Sequence, residues 1–184
     1  NTIEEQISMV NKMQDVCGQD LDVIAAAVGV TDDYVERALA LKEVGCNVFV
    51  IDVAHGHHVL VKDAIYQLRK RLGDAVHIMA GNVASVRGII DLDQWGADSI
   101  RLGVGSGSIC STRIKTGHGV PTLEVLLRAR ENAYCLENKP VLIADGGLKT
   151  SGDIVKAIAA GAKACCLGRA FLFSLSAGGQ KGVE

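Results

Sequence analysis

Aromatic side chains are scarce in this chain of 184 residues, with three Phe, three Tyr and one Trp making up 4% of the total. The interior must therefore be built from Ala, Val, Ile and Leu. Proline is scarcer still, at two residues. The formal net charge is only -2, and no basic run marks a nucleic-acid or anionic-membrane partner. No apolar run is long enough to cross a bilayer, and no signal-peptide pattern opens the chain. The six cysteines, at 17, 46, 110, 135, 165 and 166, form no CxxC pair and no regular spacing. That argues against a disulfide framework or a zinc site and for reduced thiols in a cytoplasmic protein.

Glycine, by contrast, is plentiful at 21 residues, and hydrophobic residues reach 48%. One α/β domain with many strand-to-helix turns fits that balance. A helix is expected from Thr2, which can cap it, with Glu4 and Glu5 in its first turn and Gly18 at its end. Residues 22–30 form a nearly unbroken apolar run, which predicts a strand buried on both faces. Thr31-Asp32-Asp33 then opens a helix to about Val44. Further strands are expected at 48–54, 76–83, 99–105, 141–147 and 164–167. Helices are expected at about 58–72, 85–95, 122–137 and 151–160, then a short turn at Gly168-Arg169 and a final loop or helix. Asn1 begins in what reads as a helix already under way, so a fragment or processed piece is expected.

Six β/α units in strict alternation, joined by right-handed crossovers, predict a parallel sheet. Periodicity alone fits an open doubly wound sheet or a barrel. Polar and glycine residues, however, gather at the C-terminal ends of the strands: Asp52, Asn82, the loop after Leu102, Asp145-Gly146-Gly147 and Gly168-Arg169. A TIM (β/α)8 barrel shows that distribution at its active face, with a phosphate site in its last two turns.

The richest of these loops is Gly103-Val104-Gly105-Ser106-Gly107-Ser108-Ile109-Cys110-Ser111-Thr112-Arg113. Its glycines permit positive φ and close approach to a ligand. Several carbonyls or N–H groups can turn toward one point, suiting a cation or a phosphate. Cys110, held among oriented dipoles, is a candidate thiolate nucleophile. The plainer alternative is a glycine-rich turn with a free cysteine acting as a small hydrophobe.

The run GVGSGSICSTR, followed by Thr116-Gly117-His118-Gly119-Val120-Pro121, resembles the active-site loop of the IMP dehydrogenase and GMP reductase family. The resemblance extends over nearly the whole chain and places it on barrel strands three to eight, a single partial (β/α)8 catalytic domain over 1–184. It implies that the first two strands and the regulatory CBS pair are absent. It also implies a purine nucleoside 5′-monophosphate as substrate, a nicotinamide cofactor, K+ and a homotetramer, with no nucleic-acid or membrane partner. Ser106, where proline also occurs in the family, is found among the dehydrogenases.

By the same resemblance, the Cys110 thiolate adds to C2 of the purine. Hydride then leaves to NAD in a dehydrogenase, or arrives from NADPH in a reductase, where ammonia is lost. Thr112 stands beside Cys110 as a hydroxyl relay, or is an ordinary loop hydroxyl. Asp145 would accept both ribose hydroxyls; otherwise it is a turn or helix-cap carboxylate. Ser108, Gly146, Gly147 and Gly168 belong to the substrate pocket, where backbone N–H groups reach the 5′-phosphate. Asp52, Asn82, Gly103 and Gly105 meet the cofactor, and carbonyls of Gly105, Gly107 and Cys110 line the monovalent-cation site. Asp52-Val53-Ala54-His55-Gly56-His57 resembles the family's cofactor loop, although three nearby histidines could also suggest a metal. His77 is expected as a core or lining residue and Trp95 as packing between helix and barrel.

Arg169 departs from the family pattern of serine or glycine. It could add a bidentate phosphate contact, and it resembles FMN-binding barrels of the α-hydroxy-acid oxidase type. The catalytic flap of the dehydrogenases and the glutamate of the reductases would lie after Glu184. The leading expectation is NAD-dependent oxidation of IMP to XMP, with GMP reductase as the alternative. An FMN-dependent barrel oxidoreductase and a non-catalytic nucleotide-binding fragment stand behind them.

Overall fold

Thr2 and Glu5 open the first helix as a reciprocal cap, Glu5 N–H donating to Thr2 Oγ1 at 3.2 Å and Thr2 N–H to Glu5 Oε2 at 3.0 Å. The structure, a computed structural model, describes residues 2–18 and 21–172. After α1 (Ile3–Cys17) come β1 (Ala25–Ala27), α2 (Tyr34–Glu43), β2 (Val48–Asp52), α3 (Val59–Leu72), β3 (His77–Val83) and α4 (Val86–Gln94). Then follow β4 (Ser99–Leu102), α5 (Thr112–Thr116), α6 (Thr122–Glu131), β5 (Val141–Asp145), α7 (Ser151–Ala159), β6 (Ala164–Cys166) and α8 (Arg169–Leu172). The residues expected to continue as a final loop or helix beyond Leu172 lie outside the described residues.

All six strands are parallel, and each pairs with its neighbours in chain order. A doubly wound sheet reverses its strand order at a switch point; this sheet does not, and it curls as part of a barrel. Register sorts its side chains into two faces. Ala26, Phe49, Ile78 and Ala80 to Ile100 and Leu142 face the helices and are buried. A fully buried Phe or Ile of this kind contributes about 1.5–3 kcal/mol. The other face carries Asp52, Gly81, Arg101 and Ile143 in one row.

The stretch 22–30 departs from expectation. Only three residues form a strand, Ala25 and Ala27 are exposed, and Val23 is 65% exposed. Among the described residues β1 pairs on one side only, and Ala25 and Ala27 on its inward face stay exposed. Alanine is short enough to sit on either face, so its run could not reveal the asymmetry. Asp33 precedes α2 without capping it and pairs instead with Arg37 at 2.9 Å. Several strands stop short of their expected ends because the chain swings out of the sheet into the loops of the site, as at Gly103 (φ 131°) and Gly146 (φ 82°).

Helix α6 ends at Glu131, several residues before the expected boundary, and gives way to a 3-10 turn over Ala133–Cys135. The tie that follows comes from far away in the chain. Asp93 of α4 is fully buried, and its carboxylate accepts the N–H groups of Glu137 (2.6 Å) and Asn138 (3.1 Å). Asp93→Ala strips both donors of their acceptor and is expected to cost about 1–3 kcal/mol of stability in urea unfolding. A loss under about 0.5 kcal/mol would mean that the tie is dispensable.

Candidate functional site

Arg101 organises the inward face where the strands end. β4 places it in register with Gly81 of β3, which in turn pairs with Asp52 of β2. The long side chain crosses its neighbour closely: a Cβ on Gly81 would lie 2.7 Å from Arg101 Cβ. Its Nη1 meets Asp52 Oδ2 at 2.9 Å and its Nη2 meets Asp145 Oδ2 at 2.6 Å. Burial opposes its charge, but hydrogen bonds and charge from Asp52 and Asp145 prevail and raise its pKa. Asn82 completes the cluster, its Nδ2 donating to Asp145 Oδ2 at 2.7 Å and to the Gly103 carbonyl at 2.8 Å. Asn82 Oδ1 and Arg101 Nε are buried with no hydrogen-bond partner among the described residues.

Asp52, Asn82, Gly103 and Asp145, assigned from the sequence to different parts of a ligand, therefore meet in one network. Arg101 escaped the sequence reading because it lies inside a strand between Ile100 and Leu102. The available signal was alternation: a lone cation facing away from its apolar neighbours, with aspartates ending two other strands.

The loop after β4 is tied to the loop after β5. Gly103 leaves the sheet where any Cβ would collide with the Asp145 carbonyl oxygen and stand 2.7 Å from Thr122 Oγ1. The buried Thr122 hydroxyl lies 3.1 Å from the Asp145 carbonyl and 3.0 Å from that of Gly146. Gly146 presses on Gly107, where a Cβ would come within 2.8 Å of the backbone nitrogen. Val120 N–H donates to Val104 O at 3.0 Å and closes the base of the long loop.

A cleft of about 580 Å³ opens beside these loops and is lined by Ser108, Gly146, Gly147 and Arg169, with Arg113 and Lys149 adding positive charge. Gly168 stands next to Arg169 at the head of α8. Cys110 and Asp145 do not line this cleft, so the cationic wall and the Cys110 thiol occupy separate regions of the same loop system.

Cys110 is partly exposed and stands two residues before the short helix α5, an element inside a stretch expected as loop. Its pKa lies below the ordinary thiol value, chiefly through hydrogen bonding from the Thr112 hydroxyl and then from the Thr112 backbone. Burial opposes this weakly, while backbone groups of Gly105 and Arg113 add to it. Burial pushes Cys46, Cys165 and Cys166 the other way, Cys166 with help from Asp145. The thiol in the glycine-rich loop is thus the one tuned toward thiolate. Thr112→Val is expected to slow iodoacetamide alkylation of Cys110 at neutral pH by about three- to tenfold. The same change should move the alkylation midpoint toward higher pH, because the lost hydroxyl stabilised the anion. An unchanged profile would remove Thr112 from that role.

The carbonyls of Gly105, Gly107 and Cys110 are oxygen donors of the kind that suit a monovalent cation. Gly107 O accepts Cys110 N–H at 3.1 Å and keeps a second lone pair. Of the histidines after Asp52, His57 bonds Asp91 and His58 caps α3 through Leu60 N–H. Among the described residues no three His, Cys, Asp or Glu side chains converge on a metal-binding point. His77 lines the inward face and contacts Ser99 Oγ at 2.9 Å, while Trp95 packs partly buried against the core. Among the described residues no helix is long and apolar enough to cross a membrane.

The family model for the IMP dehydrogenase / GMP reductase domain matches residues 1–181. The IMP dehydrogenase of Rhizobium tropici is 49% identical over 144 residues, covering 78% of this chain and 28% of that protein. The Streptococcus pyogenes enzyme is 43% identical over 178 residues, covering 97% and 35%. The chain thus spans about a third of the length of these curated relatives. Among solved structures, IMP dehydrogenase from Legionella pneumophila superposes with a TM-score of 0.78 at 42% identity, covering 91% of this chain and 48% of that one. GMP reductase from Trypanosoma brucei gives 0.73 at 45%, covering 79% and 33%. A curled parallel sheet, a glycine-rich loop carrying Cys110, and a match along almost its whole length agree: the chain belongs to the IMP dehydrogenase/GMP reductase family.

Proposed function

We propose that this protein is an NAD-dependent oxidoreductase that converts IMP to XMP through a covalent bond between Cys110 and C2 of the purine. The likeness to IMP dehydrogenases over most of the chain, with Cys110 in its glycine-rich loop, carries this reading, and the lowered pKa of that thiol supports it. Thr112 supports the thiolate and takes part in moving the thiol proton. As the C2–S bond forms, the ring accepts electrons; C2 then gives up its hydrogen as hydride, and water later displaces the sulfur to release XMP and the thiol. When bound, the nicotinamide dinucleotide supplies the hydride acceptor.

The cleft wall of Ser108, Gly146, Gly147 and Arg169, with Gly168 next to Arg169 in the chain, suits the 5′-phosphate, with backbone N–H groups and a guanidinium as donors. Asp145 presents a carboxylate to the ribose hydroxyls, its orientation fixed by Arg101 and Asn82. Asp52, Asn82, Gly103 and Gly105 form the cofactor side, where Asn82 Oδ1 is a buried acceptor with no donor among the described residues. Carbonyls of Gly105, Gly107 and Cys110 would hold K+. A homotetramer acting in a cytoplasmic, reducing compartment fits the family resemblance and the six free thiols.

GMP reductase, running NADPH-dependent deamination of GMP to IMP, is the second reading. The structural likeness to the Trypanosoma brucei GMP reductase, also solved with guanosine 5′-monophosphate, favours keeping it. Family membership over residues 1–181 favours both over a flavin barrel. Turnover assays with IMP plus NAD and with GMP plus NADPH, beside calorimetric titration of IMP and inosine, separate these readings. IMP should bind at least about tenfold more tightly than inosine, and NAD reduction should need IMP. Oxidation of NADPH by GMP would select the reductase, and equal affinity for inosine would overturn the phosphate assignment.

A further inference from the structure

The segment between β2 and α3 is seated by a socket on α4 that no role above requires. His57 Nε2 lies 2.8 Å from Asp91 Oδ2, and the Asp91 side chain is only 13% exposed. Arg87 grips the same carboxylate through Nε at 3.0 Å and Nη2 at 2.9 Å. Burial alone would raise the Asp91 pKa, but Arg87 and His57 hold it below the usual carboxylate value. Trp95 stands four residues after Asp91, its ring centre 5.8 Å from that of His57. Gly88 leaves room for the loop, since a Cβ there would be 3.3 Å from His57 Cβ. Positions 88, 91 and 95, three and four residues apart, lie on one helix face and enclose one imidazole.

From that imidazole the chain leads directly into the cluster at the strand ends. Gly56 N–H donates to Asn82 O at 2.7 Å and Val53 N–H to Gly81 O at 3.0 Å. Gly56 has no space for a side chain, because a Cβ would lie 3.0 Å from Gly81 and Asn82 backbone atoms. The loop is therefore pressed onto the dipeptide that Arg101 crosses and whose asparagine holds Asp145 and the Gly103 carbonyl. An apolar contact would suffice to pack a loop. A buried carboxylate hydrogen-bonded to the loop imidazole also fixes the direction of the ring, because the bond is directional.

We infer that Asp91 is a positioning residue for the cofactor half of the site: by orienting His57 it seats loop 53–58 against Gly81-Asn82 and so holds Asp52 and Asn82 in place for a nicotinamide dinucleotide. The inference rests on the proposed oxidoreductase function.

Calorimetric titration of the protein with NAD, NADPH and IMP tests it in the wild type and in Asp91→Asn, His57→Gln and Arg87→Ala. Asp91→Asn and His57→Gln are expected to weaken the dinucleotide that the wild type prefers by about tenfold, with IMP affinity kept within about twofold. Arg87 is 74% exposed, and its loss leaves the His57–Asp91 bond standing, so Arg87→Ala should bind both ligands as the wild type does. Trp95, the single tryptophan, supplies a spectroscopic signature: its emission should change in both His57→Gln and Asp91→Asn while the melting temperature of His57→Gln stays close to that of the wild type. Wild-type dinucleotide affinity in both variants overturns the inference alone. A parallel loss of IMP and dinucleotide affinity reduces Asp91 to general support and also overturns it. A wild type that binds IMP but neither dinucleotide overturns the proposed function and this inference together.

Discussion

Cys110→Ala is expected to abolish turnover, by at least about 10³-fold, while IMP affinity stays within about threefold of the wild type. The two halves of that expectation have separate physical grounds. Under the proposed mechanism, removing the sulfur removes the group that bonds C2, so the loop can no longer hold a purine covalently. The loop itself survives, because Cys110 N–H to Gly107 O is a backbone bond that alanine retains. The cationic wall is likewise untouched, since Cys110 does not line it. Three of the other cysteines are poor substitutes: burial raises the pKa of Cys46, Cys165 and Cys166, leaving them weak nucleophiles at neutral pH. Steady-state kinetics and equilibrium binding check the pair of outcomes. Retained turnover would return Cys110 to the role of a small loop hydrophobe.

Gly103→Ala is expected to destabilise the protein by more than about 3 kcal/mol and to disorganise the site with it. Two penalties coincide there. The backbone sits at φ 131°, which an L side chain rarely adopts, and the new methyl group collides with the Asp145 carbonyl oxygen. Relief would require moving β5's end away from Thr122, breaking the contacts that join the two loops. Gly73→Ala isolates the first penalty, because Gly73 has φ 77° and nothing within 4 Å of an added Cβ. It should cost about 1 kcal/mol. Urea unfolding of both variants, with Cys110 alkylation as a report on the loop, measures the difference. Equal costs at the two positions would mean that the loop can move away from β5 freely.

Cys110 stood out within its glycine-rich loop; Asp52, Asn82 and Asp145 were legible at strand ends, where polarity interrupts an apolar run. Their grouping was not legible, because it depends on Arg101, whose partners are 49 and 44 positions away or closer only through register across the sheet. A charge flanked by Ile100 and Leu102 reads as part of a buried strand until the neighbouring strands show which face it occupies. The parallel, barrel-type order followed from strict β/α alternation and from polar groups gathered at one end of the strands. Boundaries failed where a distant group sets them. Helix α6 and its following turn hand over to Asp93, a residue from another helix. Helix α5 is five residues long, too short to leave a periodic pattern within a glycine-rich loop. β1 was overextended because successive alanines and valines give no alternation to read.

Intact mass after incubation with 6-chloropurine ribotide, followed by peptide mapping, tests the central claim most directly. A thiolate facing the bound purine displaces chloride, forming a carbon–sulfur bond and releasing the halide. One adduct per chain is expected, mapped to the peptide that contains Cys110, slowed by excess IMP and absent from Cys110→Ala. An adduct at another cysteine, or none on a folded protein that binds IMP, would contradict the assignment of Cys110 as the nucleophile of a purine-nucleotide pocket.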